Sequence, residues 1–183
     1  NARLAAFYRA IAERYRGYPI LSYSSAFSEC AETEYHPGGL WRDYSESALA
    51  HVLEQLHNNE GYRPELLVFL QCTSPFTLPE DIDAAVEALL KHDADTAFTA
   101  AAFHGFVWRD GPDGSVVGIN HDKTIRPRRQ DRPPEYLENG AVYVMKAPGF
   151  LKARHRFFGK TVVSLMPTER SLEIDEPKDL LMA

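Results

Sequence analysis

The sequence predicts an α/β domain built on a mostly parallel, twisted sheet flanked by helices. Three observations carry this. The segment "ELLVFLQ" (65–71) is an apolar run without alternation, the pattern of a strand buried on both faces. "TAFTAAAF" (96–103) reads as a second inner strand. Between them Ile82, Val86, Leu89 and Leu90 recur at helical spacing, giving the strand–helix–strand order of a parallel unit. A chain of 183 residues fits one domain, 1–183.

The remaining elements follow in order. Leu4, Phe7, Ile11 and Tyr15 share one helical face that ends near Gly17, and "YPILSY" (18–23) reads as a short strand. "SSAFSECAETEY" reads as a helix, and "HPGGLW" as a turn. From Tyr44, Ala48, Val52 and Leu56 lie on one helical face with Leu49 and Leu53 beside them, until "HNNEGYRP" breaks the pattern. After the first buried strand, Thr77 precedes Glu80 by three residues, a capping-box arrangement, with Pro79 in the first turn. "VWRDGPDGSVVGIN" (107–120) predicts a hairpin turning on Asp110 to Gly114. "NGAVYVMK" and "TVVSLMP" predict two more strands, separated by the polar segment "APGFLKARHRFFGK".

Composition narrows the function classes. Hydrophobic residues make up 44% and charged residues 25%, values of a folded, water-soluble protein. No apolar run approaches the roughly 18 residues of a membrane span, and "NARLAAFYRAIAERYRG" lacks a signal-peptide core, so a cytoplasmic location is expected. A net charge of -6 argues against a nucleic-acid partner held by bulk electrostatics. Cys30 and Cys72 form neither a CxxC pair nor a disulfide framework, and structural zinc is not expected.

Four stretches could carry chemistry. "QCTSP" (71–75) follows a buried strand, where open α/β sheets bind ligands. Gln71 offers a donor and an acceptor, and Thr73 and Ser74 offer hydroxyls; the same residues also suit a plain turn. "RPRRQDRPP" gathers Arg126, Arg128, Arg129 and Arg132, forks suited to phosphate or carboxylate, or else a solvated charged loop. "SLEIDEP" sets Glu173 and Asp175 two apart, so in an extended segment both carboxylates face one cation, Mg²⁺ by oxygen chemistry. The other reading of that stretch is a helix start at Glu176 to Lys178. Phe157 and Phe158 are core residues or a binding wall, and no Ser-His-Asp constellation is legible.

In order, "LVFLQCTSPFTLPEDIDAAV", "DADTAFTA", "RRQDRPPEYLENGAVYV" and "ERSLEIDEPKDL" resemble the acylneuraminate cytidylyltransferase family, from about Tyr44 onward. Members of that family activate sialic acids and similar nonulosonic acids as CMP-sugars. The resemblance implies a Rossmann-like nucleotidyltransferase fold with a small hairpin or dimerisation arm, CTP and an acidic nine-carbon sugar as substrates, and Mg²⁺. It implies that Gln71, Thr73, Ser74, Arg129, Gln130, Asn139, Tyr143, Phe157 and Phe158 bind substrate. Glu173 and Asp175 would hold metal, with Arg129 and Asp175 catalytic. It also implies a homodimer, with 107–120 and 147–160 as the expected contacts.

Departures from the pattern are Cys72 for proline, Thr77 for arginine and Glu173 for aspartate. The family's opening strand and its A-R-x-G-S-K phosphate loop have no counterpart in these residues, so the chain by itself is expected to be inactive. A non-catalytic relative that binds nucleotide or acidic sugar, or a different sugar nucleotidyltransferase, are the alternatives.

Overall fold

The computed structural model describes residues 20–23 and 44–183. The helices expected over 4–15 and 24–35 and the turn at 36–41 lie outside the described residues. Ten regular elements follow: β1 (Ile20–Tyr23), α1 (Tyr44–Glu60), β2 (Leu66–Gln71), α2 (Pro79–Lys91), β3 (Thr96–Phe103), β4 (Trp108–Asp110), β5 (Val116–Gly118), β6 (Glu135–Lys146), α3 (Ala147–Ala153) and β7 (Thr161–Leu165).

The main sheet has the order β1-β2-β6-β3-β7. β1 pairs parallel with β2 and β3 parallel with β7, whereas β6 runs antiparallel to both its neighbours. Among the described residues four strands of this sheet therefore point one way and the one opposing strand, β6, lies between β2 and β3. Because β6 is reversed, its first half lies at the same pole as the carboxyl ends of β2 and β3. β4 and β5 form the expected hairpin as a separate two-stranded sheet.

The apolar runs fill both faces of the sheet. On one face Val68, Leu70, Val142 and Val144 pack against Ile82, Ala85 and Leu89 of α2. On the other, Leu67, Phe69, Tyr143 and Met145 meet Leu49 and Leu53 of α1 and Phe150 of α3. The alternation along β2 and β6 sends neighbouring residues to opposite faces, and both faces are covered, which is why these strands read as continuous apolar runs.

Three expectations are corrected. The start of α2 is not capped by Thr77 and Glu80. Leu78 is the cap position; its N–H donates to Asp81 Oδ2 at 2.9 Å, and the Thr77 hydroxyl instead donates to the Ser74 carbonyl at 3.0 Å. The strand expected from Asn139 begins at Glu135, because its first residues pair with the end of β3. The segment 147–160 opens with a helix that buries Ala147 and Phe150, Pro148 falling in its first turn where the missing N–H is harmless.

The β3–β6 ladder is interrupted. Phe98 pairs with Tyr143 but Ala100 pairs with Glu138, so β6 accommodates extra residues at Asn139 to Val142 opposite Thr99. The buried Thr99 hydroxyl fills the gap: it accepts from Val142 N–H at 2.9 Å and lies 2.8 Å from Asn139 Oδ1. Replacing Thr99 by valine keeps the shape and leaves the Val142 N–H without its partner, while Asn139 Oδ1 keeps only Ala141 N–H at 3.3 Å. The expected loss is about 1–3 kcal/mol of unfolding free energy, read by urea denaturation; an unchanged midpoint would contradict this role of the hydroxyl.

Candidate functional site

The pole defined by the carboxyl end of β2 and the first half of β6 brings together Gln71, Thr73, Ser74, Asn139, Glu173 and Asp175. Gln71 ends β2, and Ser74 N–H donates to its carbonyl at 3.3 Å, closing a turn over Cys72 and Thr73. Ser74 thus takes part in a turn, and it is buried with its hydroxyl on the Asn139 carbonyl at 3.4 Å. The pairing of β2 ends at Gln71, and α2 starts at Pro79, after Pro75.

The C-terminal segment comes back to this turn. Ile174 N–H donates to the Thr73 carbonyl at 2.8 Å, which brings Glu173 and Asp175 beside the loop after β2. Gly140, at φ +65°, makes room for Glu173: a Cβ there would collide with Glu173 Oε1 and sit 3.0 Å from Gln71 Oε1. Only glycine suits a left-handed position with a carboxylate that close. Thr73 Oγ1 is buried with no partner in hydrogen-bond geometry, though its hydroxyl is near enough to favour the charged form of Glu173.

Electrostatics mark this corner. The Glu173 carboxyl is raised above its usual range, by burial first and then by the charges of Asp175 and Glu138. Glu138 Oε1 accepts the Tyr143 hydroxyl at 2.5 Å, and burial together with that carboxylate pushes the Tyr143 phenol far up. After Asp175 the chain does not begin an α-helix. Asp179 Oδ2 accepts the N–H groups of Asp175 and Glu176 at 3.1 and 2.9 Å, capping a short turn.

Other expected site residues have different surroundings. Asn139 is buried, with Oδ1 accepting from Thr99 and its Nδ2 donating to Ser171 Oγ at 3.1 Å, so its amide holds the bulge together. Tyr143 is buried too, stacked on Phe69 at 5.7 Å between ring centres and edge-on to Phe157 at 6.0 Å. Phe157 meets Phe98 edge-on at 5.4 Å, while Phe158 closes on Gly149 of α3. The two rings of "HRFF" thus go separate ways, both half-buried against the core.

The arginine run divides. Arg126 and Arg132 lie over the Phe106 ring at 4.7 and 4.4 Å, and Arg132 also pairs with Glu135. Arg128 pairs with Asp131 at 2.7 Å. Arg129 and Gln130 are exposed on a 3-10 turn, Arg129–Asp131, and Arg129 makes no ion pair among the described residues.

Sequence reading missed two groups here. Arg156 lies over the rings of Tyr143 and Phe69 at 4.7 and 5.2 Å and donates to Glu46 at 2.6 Å, 110 residues away. Burial alone would raise the Glu46 carboxyl, and the Arg156 hydrogen bond and charge more than reverse this. Glu138 was hidden because its neighbours in sequence carry no signal of the fold-back that brings Glu173 to it.

Among the described residues no group of three or more His, Cys, Asp or Glu is arranged to hold a metal ion. Glu173 and Asp175 nonetheless supply hard carboxylate oxygens, the charge of Asp175 acting on Glu173, and this is the donor type that Mg²⁺ takes. No described helix is long and apolar enough to cross a membrane.

Comparison with known proteins agrees with the motifs. No protein-family model matches the chain. N-acylneuraminate cytidylyltransferase A of Danio rerio is 33% identical over 118 residues, 61% of this chain and 26% of that protein. The N-acylneuraminate cytidylyltransferase of Streptococcus agalactiae serotype V is 30% identical over 118 residues, 62% of this chain and 28% of that protein. The chain thus matches about a quarter of the length of these relatives. Among solved structures, 4-diphosphocytidyl-2C-methyl-D-erythritol synthase from Anaerococcus prevotii superimposes with a TM-score of 0.54 at 16% identity, over 85% of this chain and 73% of that one. A second structure of a synthase of that name gives 0.58 at 11% identity, over 98% and 87%. These two show the fold: a Rossmann-like α/β sheet flanked by helices.

The raised Glu173 carboxyl has a sign that can be tested. Charging it is harder in the folded chain than in the unfolded one, so its burden is absent below the usual 4.5 and grows as pH rises through the folded value. Without divalent cations, Glu173→Gln is therefore expected to melt higher than the parent at pH 7 and no higher at pH 4. A melting difference independent of pH would contradict it.

Proposed function

We propose, from the chain's homology to the N-acylneuraminate cytidylyltransferases, that it forms nucleotide- and sugar-binding parts of an enzyme that transfers CMP from CTP to an acidic sugar. The observation that supports this most is the return of Glu173 and Asp175 to the loop after β2 through the Ile174–Thr73 hydrogen bond. That contact joins two stretches a hundred residues apart into one polar corner at the ligand-binding pole of an α/β sheet.

In this reading the anomeric hydroxyl of a nonulosonic acid attacks the α-phosphorus of CTP and pyrophosphate leaves. Gln71, half-buried at the end of β2, offers a carbonyl and an amide to the base edge. Arg129, exposed and unpaired among the described residues, pairs with an anionic group of the substrate. Tyr143 and Phe157 form an apolar floor, and Asn139 and Ser74 fix the backbone around it. Glu173 and Asp175 would hold Mg²⁺. When bound, Mg²⁺ neutralises charge that builds on the phosphate oxygens.

Self-association belongs in this reading to the hairpin rather than to 147–160. Trp108, Val116 and Ile119 are exposed, whereas Ala147 and Phe150 are buried against the sheet.

Calorimetric titration of CTP with Mg²⁺ tests the reading. Binding is expected to require the metal and to weaken at least about tenfold in Asp175→Ala. CTP binding indifferent to both the metal and Asp175 would refute the assignment of the carboxylates.

A further inference from the structure

The segment that carries Glu173 and Asp175 is fastened at more than one point. Ahead of the carboxylates, Arg170 reaches Asp81, 89 residues away, with Nη2 at 2.5 Å from Oδ1 and Nε at 3.4 Å from Oδ2. Asp81 is itself fixed. It lies in the first turn of α2, where Oδ2 accepts Leu78 N–H at 2.9 Å and its own N–H donates to the Leu78 carbonyl at 3.0 Å. Its side chain is 6% exposed and that of Arg170 28%, so the pair is largely withdrawn from water and little screened by salt.

The position of this pair gives it leverage. Residues 72–78 connect β2 to α2, so Asp81 anchors the far end of the loop whose near end is Gln71. Arg170 stands three residues before Glu173 and five before Asp175. Between them Ser171 Oγ accepts from Asn139 Nδ2 at 3.1 Å and donates to the Pro167 carbonyl at 3.0 Å, tying the segment to the bulge of β6. Arginine suits the post because its planar fork can address both carboxylate oxygens, where a lysine offers a point charge.

We propose that Arg170 and Asp81 are positioning residues. Their clasp sets the separation between the loop Gln71–Ser74 and the carboxylates Glu173 and Asp175, and so the register in which a metal-bound triphosphate is held. The consequence for the triphosphate rests on the cytidylyl-transfer reading; the clasp itself does not.

The test uses the full chain with Arg170→Met, Arg170→Lys and the double variant Asp81→Asn/Arg170→Met. In the double variant no carboxylate is left buried without a partner, while asparagine can still accept from Leu78 N–H. Amide hydrogen exchange by NMR reads the clasp directly. Ile174 N–H is expected to exchange at least about tenfold faster in Arg170→Met and in the double variant, with Val144 N–H unchanged and Arg170→Lys in between. An unchanged Ile174 rate, or equal acceleration at Val144, would overturn the proposal, since the pair would then be idle or merely a general stabiliser. Titration with Mn²⁺ alone reads the consequence: its affinity is expected to fall several-fold in the same variants, and unchanged affinity would overturn the link to the carboxylates. If the parent chain binds no Mn²⁺, the cytidylyl-transfer reading fails while the exchange comparison still decides the clasp.

Discussion

The antiparallel strand at the centre of the sheet is the constraint on which the rest of this structure depends. Because β6 opposes β2 and β3, its opening residues meet the carboxyl end of β3 and Val142 meets that of β2, so the irregularity in β6 falls at the pole where open α/β sheets bind ligands. A regular ladder would leave no room for a folded-back segment. The extra residues at Asn139 to Val142 create that room, and the Thr99 hydroxyl satisfies the backbone group the irregularity exposes. Gly140 then admits the Glu173 carboxylate against the strand.

Charge is distributed unevenly around this framework. Three carboxylates in partly or wholly covered positions are each matched by an arginine: Glu46 by Arg156, Asp81 by Arg170 and Glu135 by Arg132. Glu173 instead faces Asp175 and Glu138, which raise its pKa along with burial. Unrelieved like charge at a half-buried carboxylate is unfavourable for stability and useful for binding a cation. The same contrast separates the arginines. Arg126 and Arg132 are stacked on Phe106 and serve the join between hairpin and sheet, which leaves Arg129 as the member of the run without a partner among the described residues.

The sequence was informative where the physics is local. The apolar runs at 65–71 and 139–146, the helical spacing from Ile82 to Leu90 and the hairpin on Asp110 to Gly114 all correspond to elements of the structure. The start of α2 was misread because several polar side chains near Pro79 could serve as caps. Tertiary contact decided among them: Ser74 engages Thr77, and Asp81, held by Arg170, engages Leu78. The helix at 147–153 was overlooked because Pro148 and Gly149 at its start read as breakers and only two of its residues, Ala147 and Phe150, are buried.

By itself the sequence determined the kind of sheet, the stretches that could carry chemistry and the family they resemble, since strand burial, turn residues and motif spacing are all written along the chain. Whether a singled-out side chain would be exposed or buried was decided only by the tertiary structure. Asn139 and Ser74 look like binding residues in a motif, yet both are buried in contacts that hold the bulge. Glu138, Arg156 and the Asp81–Arg170 pair carry no local signal, because each depends on a partner brought close by folding rather than by sequence. Direction and burial of a side chain are properties of packing, and packing is settled by contacts between residues far apart in the chain.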